Sequence, residues 1–233
     1  MDKITNVKSI SIWIFIVPFV AVNACLILIT NFHDLFPNQE HIIHKTIPYL
    51  DGGASISRTA RVFPTYLIFK PAMFLTSYLL IKYWLYNKEI INFFENNHKN
   101  IKYFVFFGIG SAIFLILHSI FLGIKFDNDF YKLFRRIVML GFILFEVVAQ
   151  TYLVATFYSI KEKITDHIKP NILKIKLILV ITLIIVAIIS IPIVSTSGNK
   201  AIKHALEWDY FLAVISFYLL TFFMWKIRKS RSI

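Results

Sequence analysis

The sequence predicts an all-α, polytopic membrane protein: a six-transmembrane-helix bundle with no sheet core. Two observations carry this. Hydrophobic residues make up 58% of the 233-residue chain, charged residues only 16%, and mean hydropathy is +0.68. A soluble domain holds about 45–50% apolar and about 25% charged residues. Apolar runs of the length a bilayer requires, about 20 residues, also recur six times. Seven Gly and seven Pro are too few for a collagen-like or disordered chain, and the single cysteine, Cys25, excludes an intrachain disulfide.

The expected spans are residues 9–30, 62–86, 101–124, 137–160, 177–196 and 205–225, forming one membrane domain over residues 1–233. The first run, at about 22 residues, is too long for the apolar core of a cleavable signal peptide, and no Ala-x-Ala site follows it, so it reads as a retained span. The second is interrupted by Lys70-Pro71. The fourth carries Glu146 and Gln150, and the fifth is the purest apolar run. An even number of spans places both termini on one side. The loop over residues 31–61 is long for a compact protein, and such loops are usually functional or disordered. Its Ile42, Ile43, Ile47, Tyr49 and Leu50 predict an ordered segment folded onto the bundle.

The formal charge of +12 reads as a topology signal, because basic residues at span ends set orientation. One side holds Lys3, Lys8, Lys88, Lys99, Lys102, Lys161, Lys163, Lys169, Lys174, Lys176, Lys226, Arg228, Lys229 and Arg231. The other holds fewer: Lys45, Arg58, Arg61, Lys125, Lys132, Arg135, Arg136, Lys200 and Lys203. Both termini are therefore expected in the cytoplasm, and in a bacterium the membrane would be the plasma or inner membrane. No basic stripe with interleaved aromatics lies outside the spans, so no nucleic acid is expected as a partner.

Motifs for cofactors are missing from the sequence. Gly52-Gly53 is an isolated pair and not a phosphate-binding loop. No Cys/His cluster has zinc spacing, although His33, His41 and His44 lie together in the first outer loop. There is no Gly-x-Ser-x-Gly elbow. Neither a cofactor nor a metal is expected, and whether the chain is an enzyme stays open.

Polar residues within spans are the better guide, since charge in hydrocarbon is costly and usually faces the bundle interior. Counted from the span edges at about 1.5 Å per residue, Lys70 lies about 12 Å deep and Glu146 about 13 Å deep from the same side. The two are expected to pair. Gln150 shares a face with Glu146, one turn on. Asn23 and His118 lie about 10 Å from the outer ends of their spans. Asp51, Arg58, Arg61, Glu207 and Asp209 fall at the outer mouth. The expected ligand-binding set is thus Asn23, Asp51, Arg58, Arg61, Lys70, His118, Glu146, Glu207 and Asp209: a polar floor, apolar walls and a charged rim suited to an amphiphile. The alternative reading of the intramembrane members is polar contact between helices.

Two stretches carry a resemblance. Ile47-Pro48-Tyr49-Leu50-Asp51-Gly52-Gly53-Ala54-Ser55 resembles the Pro-Tyr-Ile-Ser-Asp-Thr-Gly stretch of damage-regulated autophagy modulator proteins, and Phe69 follows near the opening of the next span. Ala205-Leu206-Glu207-Trp208 is similar to the Glu-Trp or Glu-Tyr that opens that family's last span. Six spans, cytoplasmic termini and a large first outer loop are shared with this DRAM/Frag/Sfk family. The chain departs from it at Arg135-Arg136, where such proteins often carry a His. The resemblance implies a lipid-linked membrane role with membrane lipids as partners. A small-solute or ion transporter is the alternative, and an intramembrane acyl-transfer or hydrolytic enzyme using His118 or Glu146 is the second.

Overall fold

The computed structural model describes residues 2–124, 128–196 and 198–226. Six long helices dominate: α1 (Asp2–Asn31), α4 (Tyr66–Phe94), α5 (Ile101–Phe121), α6 (Asp129–Ser159), α8 (Pro170–Ser195) and α9 (Lys200–Met224). Between them lie three short helices, α2 (Pro48–Asp51), α3 (Ile56–Ala60) and α7 (Lys161–Ile164), and two 3-10 turns, His33–Leu35 and Gln39–His41. Among the described residues there is no strand, only an isolated bridge between Ile168 and Trp225. Five of the long helices are long and apolar enough to cross a membrane. The other, α4, carries Lys70, Lys82, Lys88 and Glu89 along its length.

The long helices close a ring. Each packs on its neighbour in the chain, α1 on α4, α4 on α5, α5 on α6, α6 on α8 and α8 on α9, and α9 returns to α1. The short connections from α4 onward force antiparallel neighbours, and the Lys3–Glu89 pair shows α1 antiparallel to α4, so helix ends alternate. At one end Lys3 pairs with Glu89 at 2.9 Å, Lys8 donates to the Trp225 carbonyl at 3.0 Å and Lys163 pairs with Glu95 at 2.8 Å. This terminal end holds the start of α1 and the end of α9. The opposite, loop end is covered by residues 32–65.

The ring is filled by large side chains, among them Trp84, Tyr83, Tyr218, Phe104, Phe157 and Phe217, all essentially inaccessible. Gly108 makes room for them: a Cβ there would enter the Trp84 ring. The outward faces are apolar. On α8, Ile178, Ile181, Ile185, Ile188 and Ile189 are all exposed, as hydrocarbon-facing residues should be when the solvent is lipid.

Helix starts differ from the edges of the apolar runs. The second long helix begins at Tyr66 rather than 62, the fourth at Asp129 rather than 137, the fifth at Pro170 rather than 177 and the sixth at Lys200 rather than 205. Caps explain two of these. The Asn128 side chain accepts the Phe130 N–H at 2.9 Å to start α6. Pro170 occupies the first turn of α8, where its missing N–H costs nothing. Lys176, counted above as a loop cation, is therefore inside α8 and fully buried. Lys125, Arg228, Lys229 and Arg231 of the charge count lie outside the described residues.

Candidate functional site

Asp51 organises the cap at the loop end. Its carboxylate accepts the Thr46 hydroxyl at 2.5 Å and the backbone N–H groups of Gly53 and Ile47, each at 2.8 Å. These bonds, the Thr46 hydroxyl foremost, hold its pKa below the ordinary carboxylate range. Gly52 follows in the left-handed region at φ 60°, and a Cβ there would run into the Ala201 carbonyl. Only glycine allows that approach. The turn thus rests on the first turns of α9. His204 Nδ1 lies 2.9 Å from the Gly52 carbonyl, Trp208 Nε1 donates to Ala54 O at 2.8 Å, and the Tyr49 and Trp208 rings meet edge-on at 5.0 Å. Burial raises the Tyr49 pKa, and its hydroxyl donates to Asn23 Oδ1 at 3.2 Å. Glu207 accepts from the backbone of Ser57 and Ile56, while Asp209 is exposed. The two stretches that carry the family resemblance, residues 47–55 and 205–208, are in contact.

A second polar cluster lies inside the ring. Glu146 of α6 accepts Ser111 Oγ of α5 at 2.6 Å, Gln150 Nε2 at 3.0 Å and the Tyr218 hydroxyl of α9. Gln150 also donates to Val214 O at 3.2 Å. Closer to the terminal end, Lys176 of α8 donates to Thr221 Oγ1 at 2.7 Å, and Tyr83 of α4 lies 3.1 Å from the same hydroxyl. The Lys176 ammonium sits 3.7 Å from the centre of the Phe217 ring, a cation–π contact that partly replaces its hydration. Tyr83 and Tyr218 meet edge-on at 4.9 Å and join the two halves. Among the described residues Gln150 Oε1, Asn87 Oδ1 and Trp84 Nε1 are buried here without a partner. The cluster binds five helices in one register, and the Glu146 carboxylate has three donors to hold it.

Lys70 and Glu146 do not pair. Lys70 is only four residues into α4, about 6 Å from its start, whereas Glu146 is 17 residues into α6, about 26 Å from its start. The expected equal depth came from run edges that erred in opposite directions. Lys70 instead donates to the Ile120 carbonyl at 3.4 Å, at the C-terminal end of α5, where the helix dipole favours a cation. His118 is three residues from the end of the same helix and feels the charge of Arg135. Asn23 donates to Phe19 O at 2.8 Å and receives Tyr49. Lys70, Glu146 and Asn23 serve separate contacts rather than one cavity floor.

What gathers instead is a pair of arginines. Arg61 and Arg135 line one cavity of about 390 Å³ at the loop end, with His41, Phe36, Phe63 and Ile124. Partial burial, then the charges of Arg135 and Arg58, lower the pKa of Arg61. Arg58 itself is exposed, its N–H capped by Ser55 Oγ at 3.2 Å. Among the described residues no carboxylate lines this cavity. No family model, curated protein or solved structure matches this chain. The site therefore rests on its own geometry.

Sequence reasoning singled out Asp51, Asn23, Glu207 and Asp209 at the cap, Glu146 and Gln150 in the intramembrane cluster, and Arg61 at the arginine cavity. It treated Arg135 as a topology signal and a departure from the family pattern, and it missed Lys176, Ser111, Tyr83, Tyr218 and Thr221. Lys176 sits between Ile175 and Leu177 directly before a long apolar run. Tyr218 and Thr221 share an α9 face at i,i+3 spacing. Those were the available signals. Of the three outer-loop histidines, His33 and His44 meet edge to face with ring centres 6.0 Å apart, His33 Nε2 lies 2.9 Å from Thr30 O, and His41 lines the arginine cavity. Among the described residues no group of three or more His, Cys, Asp or Glu could hold a metal ion.

Proposed function

We propose that this multi-pass membrane protein binds an anionic amphiphile at its loop end. The head group lies between Arg61 and Arg135, and the chains run against Phe36, Phe63 and Ile124. The observation that carries this is the cavity itself: two arginines on apolar walls, with no lining carboxylate among the described residues. Arginine presents a planar fork matched to phosphate oxygens, and an apolar pocket with a few convergent polar groups is the usual form of a ligand site. In this reading α4 is the sixth span, both termini are cytoplasmic and the loop end faces away from the cytoplasm. Membership of the DRAM/Frag/Sfk family is part of the same proposal. It is supported by the packing of residues 47–55 against 205–208.

A solute path or an intramembrane enzyme would draw on Glu146, whose carboxylate is already held by three donors. The test is lipid binding by native mass spectrometry on the full chain in detergent. Phosphatidic acid should bind in preference to phosphatidylcholine. The Arg61→Ala/Arg135→Ala variant should lose most of that preference, since each basic residue near a lipid surface contributes about 1 kcal/mol. Equal binding of both lipids by the unaltered protein would end this reading.

A further inference from the structure

The terminal end carries a cavity of its own, of about 600 Å³, between the last turns of α4 and the first turns of α5. Lys88, Lys99 and Lys102 line it, with Asn92, Tyr103 and Phe106. The three lysines come to it from different places. Lys88 and Asn92 lie one turn apart on α4. Lys99 precedes α5 and Lys102 is in its first turn. Asn97, at φ 57°, bends the chain that joins the two helices.

None of these three lysines has a carboxylate partner among the described residues, because the two nearby acids are taken. Glu89 pairs with Lys3 at 2.9 Å and Glu95 with Lys163 at 2.8 Å. Lys102 leans over the Tyr103 ring at 4.8 Å. His98, also on this wall, is held in place: Nδ1 accepts the Asn100 N–H at 3.2 Å, which leaves Nε2–H to face Ser159 Oγ at 2.8 Å. His98 Nε2 also lies 3.9 Å from Glu95 Oε1, so the cations on this wall that face no carboxylate among the described residues are the lysines. Among the described residues Asn92 Oδ1 is turned away from accessible space and has no hydrogen-bond partner, an acceptor whose burial is costly until the amide turns and a donor reaches it. Phe106, 65% exposed, continues the apolar face of α5 below the lysines.

We propose that this cavity binds a phosphate ester that also carries a free hydroxyl. The phosphate lies among Lys88, Lys99 and Lys102, and the Asn92 amide turns toward the cavity so that a hydroxyl donates to its Oδ1. The shared chemistry is a glycerophosphate group, which can come from a lipid head group in that leaflet or from a soluble ester. The site does not rest on the loop-end reading, with which it shares no residue.

Native mass spectrometry and calorimetry on the full chain, with phosphatidylglycerol, phosphatidic acid and soluble glycerol 3-phosphate as probes, test it. The Lys88→Gln/Lys99→Gln/Lys102→Gln variant should lose at least about tenfold in affinity for phosphatidylglycerol or glycerol 3-phosphate, and lysine-to-arginine replacements should restore it. Asn92→Leu should keep phosphate binding but erase any preference for phosphatidylglycerol over phosphatidic acid at this site. Binding of phosphatidylglycerol alone identifies the lipid as the source, and equal binding of glycerol 3-phosphate identifies the soluble ester. The lysine variants are therefore read in the Arg61→Ala/Arg135→Ala background, and the loop-end test in the lysine-to-glutamine background, so that one anionic site at a time is left and failure at one end is separable from failure at the other. A triple glutamine variant that stays folded by its melting profile and binds every probe as well as the unaltered protein overturns the proposal.

Discussion

The centre of the ring and its loop end both hold charge, but they treat it differently. In the centre, Glu146 is met by Ser111, Gln150 and Tyr218, and Lys176 by Thr221 and the Phe217 ring. At the loop end, Arg61 and Arg135 line a cavity with no lining carboxylate among the described residues. A charge inside a membrane protein is a functional candidate by default. This comparison shows that depth is a poorer guide than saturation. A buried group whose donors and acceptors are met holds helices together, and cations facing a cavity without a counter-charge are the ones left for a ligand.

The sharpest way to separate the two regions is Glu146→Leu. It strands the Tyr218 hydroxyl and one N–H of Gln150 in the core, each costing about 1–3 kcal/mol when unsatisfied, while Ser111 keeps its bond to the Gly108 carbonyl at 2.8 Å. The melting temperature in detergent should fall further than for any other single change discussed here, with Glu146→Gln much milder. Phosphatidic acid binding by the protein that stays folded should be unchanged. A lipid-binding defect in a well-folded Glu146→Gln variant would break the comparison and move the site to the centre.

A smaller effect is expected from acid on the cap. The pKa of Asp51 is depressed in the folded state, so its contribution is complete above the ordinary Asp value of about 3.9. It is lost as pH falls through the lowered folded value. Hydrogen exchange over residues 46–54 should therefore stay protected through mildly acidic pH and rise only below that ordinary value. Asp51→Asn should be unprotected already at neutral pH. Exchange in the unaltered protein that rises near pH 6 would point to another group.

The smallest effect belongs to Lys176→Met. Thr221 keeps Tyr83 and its own bond to the Phe217 carbonyl at 3.0 Å, so nothing polar is stranded and a desolvated charge is removed. Replacing a buried charge by an apolar side chain of similar shape is often neutral or stabilising. A marked fall in melting temperature would show that Lys176 contributes more than its single hydroxyl partner suggests.

Much of the fold was legible because a bilayer imposes long apolar runs, and the runs are plain in α1, α5, α8 and α9. Their edges were not. Lys132, Arg135 and Arg136 look like a loop but lie within α6, and Lys174 and Lys176 lie within α8. Depths counted from the apolar edges therefore placed Lys70 and Glu146 at one level. The Glu146–Gln150 bond was readable from i,i+4 spacing, since it is local to one helix. Ser111, Tyr83, Tyr218 and Lys176 come from four other helices, and which faces meet is decided only when the ring closes. Arg61 and Arg135 belong to the same class: 74 residues apart in sequence, they become neighbours once the start of α4 is set beside the start of α6.

The most direct measurement is the affinity for phosphatidic acid in the Lys88→Gln/Lys99→Gln/Lys102→Gln background, where the terminal cavity no longer competes, with and without the Arg61→Ala/Arg135→Ala change, at two salt concentrations. With both arginines in place the protein should bind phosphatidic acid in preference to phosphatidylcholine, and the preference should weaken with salt, as contacts between exposed charges do. The double variant should lose about tenfold or more while melting at the same temperature. A double variant that keeps the full preference, and keeps its salt dependence, would contradict a head-group site between these two arginines.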